Sequence, residues 1–395
     1  NDKVFDFEND PIEAYIDGEW VTANGTTLGA DNGIGAACIL AVLEDNTLEH
    51  GAIEGLFTAT EETGMDGAFG LKGGLLKGDI LLNLDSETEG ELYVGCAGGT
   101  DANITLPYTA EVAPEGWSAV KLEVKGLKGG HSGIQIGFQR GNANRLLCRL
   151  LLHTEQEWLL ASIDGGGLRN AIPREATALV GVPEESLMVQ MSLVGDMCKA
   201  ELRHTDSDLC YSFEPADAPE KVVDAEVMSK IVLSILGCPN GVLEMSRTMP
   251  GLVETSTNLA SVKFADNNRI VVTSSQRSSL ESGKYYAMST VDSVFTLAGA
   301  EVEHSDGYPG WAPNPQSMLL DVCRQSYEKL FGKEPKVRAI HAGLECGLFL
   351  EKYPALEMVS FGPTLRGVHS PDERLEISTV DKFWALLLDL LREIR

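Results

Sequence analysis

The sequence predicts an α/β fold, a domain with a central mixed sheet flanked by helices and interrupted by an inserted α+β domain. Three observations predict it. Before about residue 95 and after residue 313, apolar runs alternate with helical periodicity, and polar groups sit just past the apolar runs. Between them the character changes to alternating, half-exposed runs typical of antiparallel strands. The stretch Gly307-Tyr308-Pro309-Gly310-Trp311-Ala312-Pro313-Asn314-Pro315 marks the return as a linker. The expected boundaries are therefore 1–95, 96–312 and 313–395.

Taken in order, Tyr15–Val21 reads as strand–turn–strand. Gly33 to Asn46 places Ile34, Ala37, Cys38, Ala41 and Val42 at helical spacing, with Asp31 or Asn32 as N-cap. The glycines there are not a dinucleotide fingerprint, because the third glycine of the pattern would fall on Cys38. Ile53–Thr60 reads as a strand ending at Glu61-Glu62, Asp66–Leu71 as a short helix, and Asp79–Leu84 as a strand ending at Asp85.

In the insert, Val120–Val124 alternates into the glycine-rich turn Gly126–Gly133, and Asn142–Leu152 is helical, with Leu146, Leu147, Leu150 and Leu151 on one face. Thr177–Val182, Val253–Phe264 and Arg269–Thr273 read as further strands, and acidic Ser207–Lys221 as a loop followed by a helix. After the linker, Ser317–Leu330 is a helix, Val337–Ile340 and Met358–Phe361 are strands, and a helix capped near Ser378 closes the chain.

A chain of 395 residues suits two domains. Its net charge of -28 argues against nucleic acid and anionic membrane surfaces as partners, since both want basic patches. No apolar run approaches the ~20 residues of a membrane span. The opening residues have neither a basic region nor a small-residue cleavage site. Eight scattered cysteines without a Cys-x-x-Cys pair fit unpaired thiols in a reducing compartment, and the cytoplasm is the expected location.

The chemistry converges on Asp31. Asp31, Glu61-Glu62 and Asp85 follow successive elements of one α/β unit, and Val4 to Leu71 contains no Lys or Arg. Like charges ~4 Å apart at an effective dielectric of ~20 cost roughly 4 kcal/mol per pair. One or two divalent cations resolve that repulsion. With His369 in a late polar loop, the oxygen and imidazole donors suit zinc, manganese or cobalt.

Four segments carry a resemblance: Gly25–Gly35, Thr60–Gly70, Gly126–Gly133 and Ile340–Gly347. Across essentially the whole chain the sequence resembles the co-catalytic dizinc exopeptidases, and within them the aminoacyl-histidine (Xaa-His) dipeptidases. The resemblance implies hydrolysis of unblocked dipeptides with two divalent ions, zinc first. It implies that Asp31 bridges the ions, that Asp85 completes one shell and Glu62 with His369 the other, and that Glu61 is the general base.

The insert resembles that family's lid domain, through which a homodimer can form. In it His131 matches a histidine that holds the tetrahedral oxyanion, from the same chain or from a dimer partner. Asn258 and Arg277 match positions that hold the substrate's carboxylate or carbonyl; arginine suits a carboxylate because it bonds it bidentately. His341 joins this binding group or supports it from behind. His50, His153, His204 and His304 carry no assignment. A same-fold aminoacylase or carboxypeptidase, and a non-catalytic binding protein, remain the alternatives.

One departure stands out. The family's remaining metal ligand is a histidine in a His-x-Asp motif on a strand before the Asp31 segment, and the first histidine here is His50. The expectation is that the sequence is either a fragment of a longer protein, with that motif and its strands upstream of Asn1, or a chain that has lost its first ~80–90 residues, and that one metal position then lacks a ligand.

Overall fold

The computed structural model describes residues 4–152, 157–182 and 186–394, so His153 lies outside the described residues. The chain divides into two compact units. One comprises Asn1–Cys96, Trp311–Ile340 and Leu344–Arg395, and the other Ala97–Gly310 with His341–Gly343.

The first unit holds a four-stranded mixed sheet in the order Lys336–Ile340, Glu91–Cys96, Glu357–Ser360, Ile80–Asn83. The outer pairs are parallel and the central pair antiparallel, meeting at Ser360 and Tyr93. Helices Met318–Phe331 and Ile377–Glu393 pack together beside it, burying Tyr327, Phe383, Leu387 and Leu390. Because Ile80–Asn83 and Glu357–Ser360 run parallel, the segments leaving them emerge at one edge, where α/β folds place their chemistry.

A second small sheet in this unit joins Ala14–Asp17, Trp20–Ala23, Arg374–Glu376 and Leu365–Arg366. Its ladder pairs Trp20 with Glu376 and Thr22 with Arg374. That register lays the chain approaching Asp31 beside the loop that carries His369.

The second unit is dominated by a nine-stranded antiparallel sheet. Its order is Cys210–Ala216, Ser118–Lys125, Ala176–Val182, Leu159–Gly166, Val253–Ala265, Arg269–Ser278, Gly98–Pro107, Glu301–His304, with Gly241–Met245 added on Val253–Ala265. Alternate residues such as Leu122, Val124, Ile104, Leu106, Ile270 and Val272 turn inward, as period-two strands require. Helices Ala143–Leu152, Ser186–Leu202, Ala225–Gly237 and Glu281–Leu297 pack against this sheet, and Leu147, Leu151, Ile231 and Phe295 are buried in its core.

The structure corrects several local expectations. Ile53–Thr60 forms no strand: it runs without a ladder partner among the described residues, and Phe57 remains 52% exposed. Extended backbone becomes sheet only where a neighbour accepts its hydrogen bonds. Ser207–Lys221 contains the strand Cys210–Ala216, bonded to Ser118–Lys125. Its acidic residues masked an alternation in which Tyr211 and Phe213 pack on the core.

The last helix starts at Ile377, with Glu376 rather than Ser378 in the cap position. The Gly307–Pro315 segment is bound to its surroundings: Tyr308 and Gly99 exchange backbone hydrogen bonds, as do Trp311 and Cys96. All eight cysteines are free, and seven are buried.

Candidate active site

Asp31 sits in a non-helical turn at the head of helix Ala30–Glu44, behind Gly29 with φ 75°. Asn32 Oδ1 accepts a bond from the Gly35 N–H at 3.0 Å and so caps the regular helix. Glu61 and Glu62 open a single helical turn, Glu61–Gly64, flanked by Thr60 and Met65 in left-handed conformation. In a helical turn adjacent side chains diverge by about 100°, which lets two neighbouring carboxylates face different partners. His369 also takes a left-handed φ of 60°. Such backbone strain in non-glycine residues tends to gather at functional sites.

These residues meet within the first unit. His369 Nε2 lies 2.8 Å from Glu62 Oε2 and 3.1 Å from Asp31 Oδ2. One ligand atom from each of the three falls within 4.8 Å of the others. Asp31 also lies close enough to Asp85 and Glu62 for its charge to raise the proton affinity of both. Among the described residues, no Lys or Arg pairs with Asp31, Glu61, Glu62 or Asp85.

The electrostatics follow. Burial, then Glu62, Glu345 and Asp31, push the Glu61 carboxyl up to about 7. Burial, then Asp31 and Glu61, push Asp85 up to about 8. Burial and Asp31 likewise raise Glu62 against the opposing pull of His369. For His369 burial lowers the affinity for a proton, but Glu62 and Asp31 outweigh it. Together these carboxylates place more negative charge here than His369 alone offsets.

The donor set fits a divalent ion. Bonds of ~2.0–2.1 Å in tetrahedral array put ligand atoms about 3.3–3.4 Å apart, near the separations of His369 from its two carboxylates. Asp31, Glu62 and His369 can hold one ion, and Asp31 with Asp85 a second. Among the described residues no imidazole completes that second position.

One carboxylate had no assignment from the sequence. Glu345 opens helix Glu345–Lys352, accepts a hydrogen bond from Thr58 Oγ1 at 2.8 Å, and raises the proton affinity of both Glu61 and Asp85. Its other oxygen is enclosed without a hydrogen-bond partner. The available signal was its place after strand Lys336–Ile340, the position Asp85 holds after its own strand.

The second unit assembles the other group. His131 Nδ1 accepts the N–H groups of Gly133 and Ile134 at 3.0 and 3.2 Å, which puts the ring proton on Nε2 as a donor. Burial, then Arg277, lower its affinity for a second proton. Arg277 is buried, donates from Nη1 to Tyr308 Oη at 2.8 Å, and keeps Nε enclosed without a partner.

Asn258 Nδ2 donates to the carbonyls of Ala171 and Arg169, leaving Oδ1 unpartnered. His341 Nε2 shares a 2.7 Å hydrogen bond with Ser256 Oγ. Burial, then Arg277 and His131, drive it down to about 3, so it is neutral. Ser256 and Tyr308 had drawn no attention in the sequence. Of the unassigned histidines, His50 bonds Gly51 O, His204 meets Arg203, and His304 pairs with Asp292.

Comparison with known proteins agrees with this architecture. Residues 2–393 match the model of peptidase family M20/M25/M40. The chain is 48% identical over 399 residues to the cytosol non-specific dipeptidase of Escherichia coli (strain K12), covering 100% of this chain and 82% of that protein. It superposes on the aminoacylhistidine dipeptidase of Vibrio alginolyticus with TM-score 0.95 and 46% identity, over 100% of this chain and 81% of that one.

The aminopeptidase PepT of Bacillus cereus shares the fold at TM-score 0.52 and 15% identity, over 97% and 76% of the two chains. Metallopeptidases of the matched family use divalent metal ions. The chain belongs to peptidase family M20/M25/M40.

Proposed function

We propose that this protein is a cytoplasmic metallo-dipeptidase that hydrolyses unblocked dipeptides, with a preference for Xaa-His such as β-alanyl-histidine. The observation that carries it is the meeting of Asp31, Glu62 and His369, with Asp85 close enough to feel the charge of Asp31 and no Lys or Arg among the described residues paired with any of them. Two divalent ions, zinc by preference, fit that donor set. When bound, such ions polarise a carbonyl and lower the pKa of a water.

The residues' own parts follow from their placement. Asp31, Glu62 and His369 would hold one ion, and Asp31 with Asp85 the other. Glu61 makes no bond to His369 and stays available to take a proton from water and pass it to the leaving amine. The Nε2–H of His131 suits an oxyanion, which it can bond while neutral. Arg277 and Asn258, each with an unpartnered buried atom, suit the dipeptide's carboxylate and carbonyl, and His341 orients Ser256 beside them.

The relatives named for cytosolic and aminoacylhistidine dipeptidases support the substrate class and location. No helix among the described residues is long and apolar enough to cross a membrane.

The test is elemental analysis of the purified full-length protein with assays on free and N-acetylated dipeptides. Two equivalents of metal and turnover of the free set, fastest on Xaa-His, are expected. Activity confined to acetylated substrates would make the protein an aminoacylase-type enzyme, and absence of metal would leave a binding protein.

A further inference from the structure

We propose that Glu373 is a positioning residue: it fixes the Leu28–Asp31 backbone and thereby aims the Asp31 carboxylate at His369 and Glu62. The inference rests on the metal role proposed for Asp31.

The backbone leaves helical geometry at Asp31 and Asn32, and Asn32 caps the regular helix that follows. The N–H groups of Leu28 to Asp31 lie ahead of that cap and need an acceptor of their own. A distant carboxylate supplies it. Glu373 Oε2 accepts from the N–H groups of Leu28 and Gly29 at 2.7 and 2.9 Å, and Oε1 from those of Ala30 and Asp31 at 2.8 and 3.1 Å. Glu373 is only 2% exposed. Four donors converge on one carboxylate.

The far side is equally held. Thr22 Oγ1 donates to the Glu373 carbonyl at 2.8 Å, and the ladder continues through Thr22 with Arg374. The Glu373 N–H bonds Ser370 O at 3.1 Å, closing the turn that also carries His369. One short loop therefore supplies His369 and the carboxylate that clamps the backbone of Asp31. The Glu373 carboxylate on one side and its own main chain on the other thus tie the backbone at Asp31 to the backbone turn that carries His369.

A neutral amide cannot replace it. In Glu373→Gln, two of the four N–H groups would face an NH2 and lose their acceptor. Backbone partners of this kind orient ligands, and losing them typically weakens metal binding 10–100-fold.

The experiment compares the full-length parent with Glu373→Gln and Gly29→Ala. The alanine meets nothing within 4 Å, but Gly29 sits at φ +75°, so it strains the same turn without touching Glu373. Zinc affinity is measured by competition with a chromophoric chelator, alongside kcat, KM and thermal unfolding of the metal-free forms.

The expected result is zinc binding 10–100-fold weaker in Glu373→Gln, with kcat reduced and KM within twofold, and a smaller shift of the same kind in Gly29→Ala. Should Glu373→Gln fail to fold, Gly29→Ala decides alone. Zinc affinities within twofold of the parent, with only a lowered melting temperature, would mean that Glu373 merely stabilises the turn and would overturn the proposal. A parent that takes up no zinc would instead overturn the metal reading of Asp31 from which it starts.

Discussion

The His369 imidazole lies 3.1 Å from the Asp31 carboxylate although 338 residues separate them in sequence. Neither residue's local chain brings them together. The small sheet does, by pairing Trp20–Thr22 with Arg374–Glu376 and so setting two polar loops side by side. The cluster is thus built into the backbone. Burial and mutual repulsion raise its carboxyls, Glu61 to about 7 and Asp85 to about 8.

The adjacent glutamates should separate cleanly on mutation. Glu62 contacts His369, whereas Glu61 is raised chiefly by burial and then by the charge of Glu62. Glu61→Gln is expected to keep both metals and lose about 10²–10⁴-fold in kcat, the span of a general base. Glu62→Gln should lose metal and turnover together. Elemental analysis beside steady-state kinetics checks the pair; an active Glu61→Gln enzyme would remove Glu61 from that role.

Much of this architecture was legible in the sequence because it is periodic. Strands such as Ser118–Lys125 and Arg269–Ser278 announce themselves by alternation, and Asp31, Asp85 and His369 by position after apolar runs. What stayed hidden is what only a distant partner defines. Ile53–Thr60 looks like a strand but has no neighbour, and Cys210–Ala216 looks like a loop until Ser118–Lys125 pairs with it.

Glu373 is the clearest case. Its four hydrogen-bond partners lie 342 to 345 residues away, and no spacing rule reaches that far. Tyr308 was hidden differently, inside a Gly- and Pro-rich stretch whose composition says linker and whose backbone is bonded to Gly99.

His341 makes stability depend on pH. Its folded value of about 3 lies below the ordinary 6.5, so above pH 6.5 both states are neutral and it contributes nothing. As pH falls further, the unfolded chain binds a proton that folded His341 refuses, and stability is lost until about pH 3. At pH 5, about 1.5 units below the ordinary value, the loss is about 2 kcal/mol. Urea unfolding at pH 7.5 and pH 5 should show His341→Gln losing about that much less than the parent. A difference between the two proteins that does not change with pH would contradict it.

His131 should act with the Arg277 of its own chain. Within the second unit Arg277 lowers His131, and both lower His341. The turn carrying His131 is bonded to Ala171, whose carbonyl also takes Asn258. Mixing His131→Ala with Arg277→Ala chains under subunit-exchanging conditions should therefore restore no activity. Recovery above the sum of the two variants would mean that a partner chain supplies the histidine.

Arg277 owes its aim to Tyr308. The Tyr308 ring lies in a slot that exists because two neighbours are glycines: a Cβ on Gly99 or on Gly343 would come within 2.8 Å of it. From there Oη accepts the Arg277 Nη1 hydrogen at 2.8 Å and so fixes the direction of the buried guanidinium. A hydrogen bond to a charged group contributes about 1.5–3 kcal/mol, so Tyr308→Phe should raise KM for a free dipeptide by about tenfold or more, with kcat within twofold.

Arg277→Lys should raise KM further, because a point charge cannot make the fork's two bonds to a carboxylate. Gly343→Ala should resemble Tyr308→Phe by pushing the ring out of its slot. The matching C-terminal amide is the control: lacking the carboxylate, it should bind all three variants about as poorly as it binds the parent. A fall in kcat at unchanged KM would instead put Arg277 at the bond being broken, and Tyr308 would then be aiming it at the scissile carbonyl.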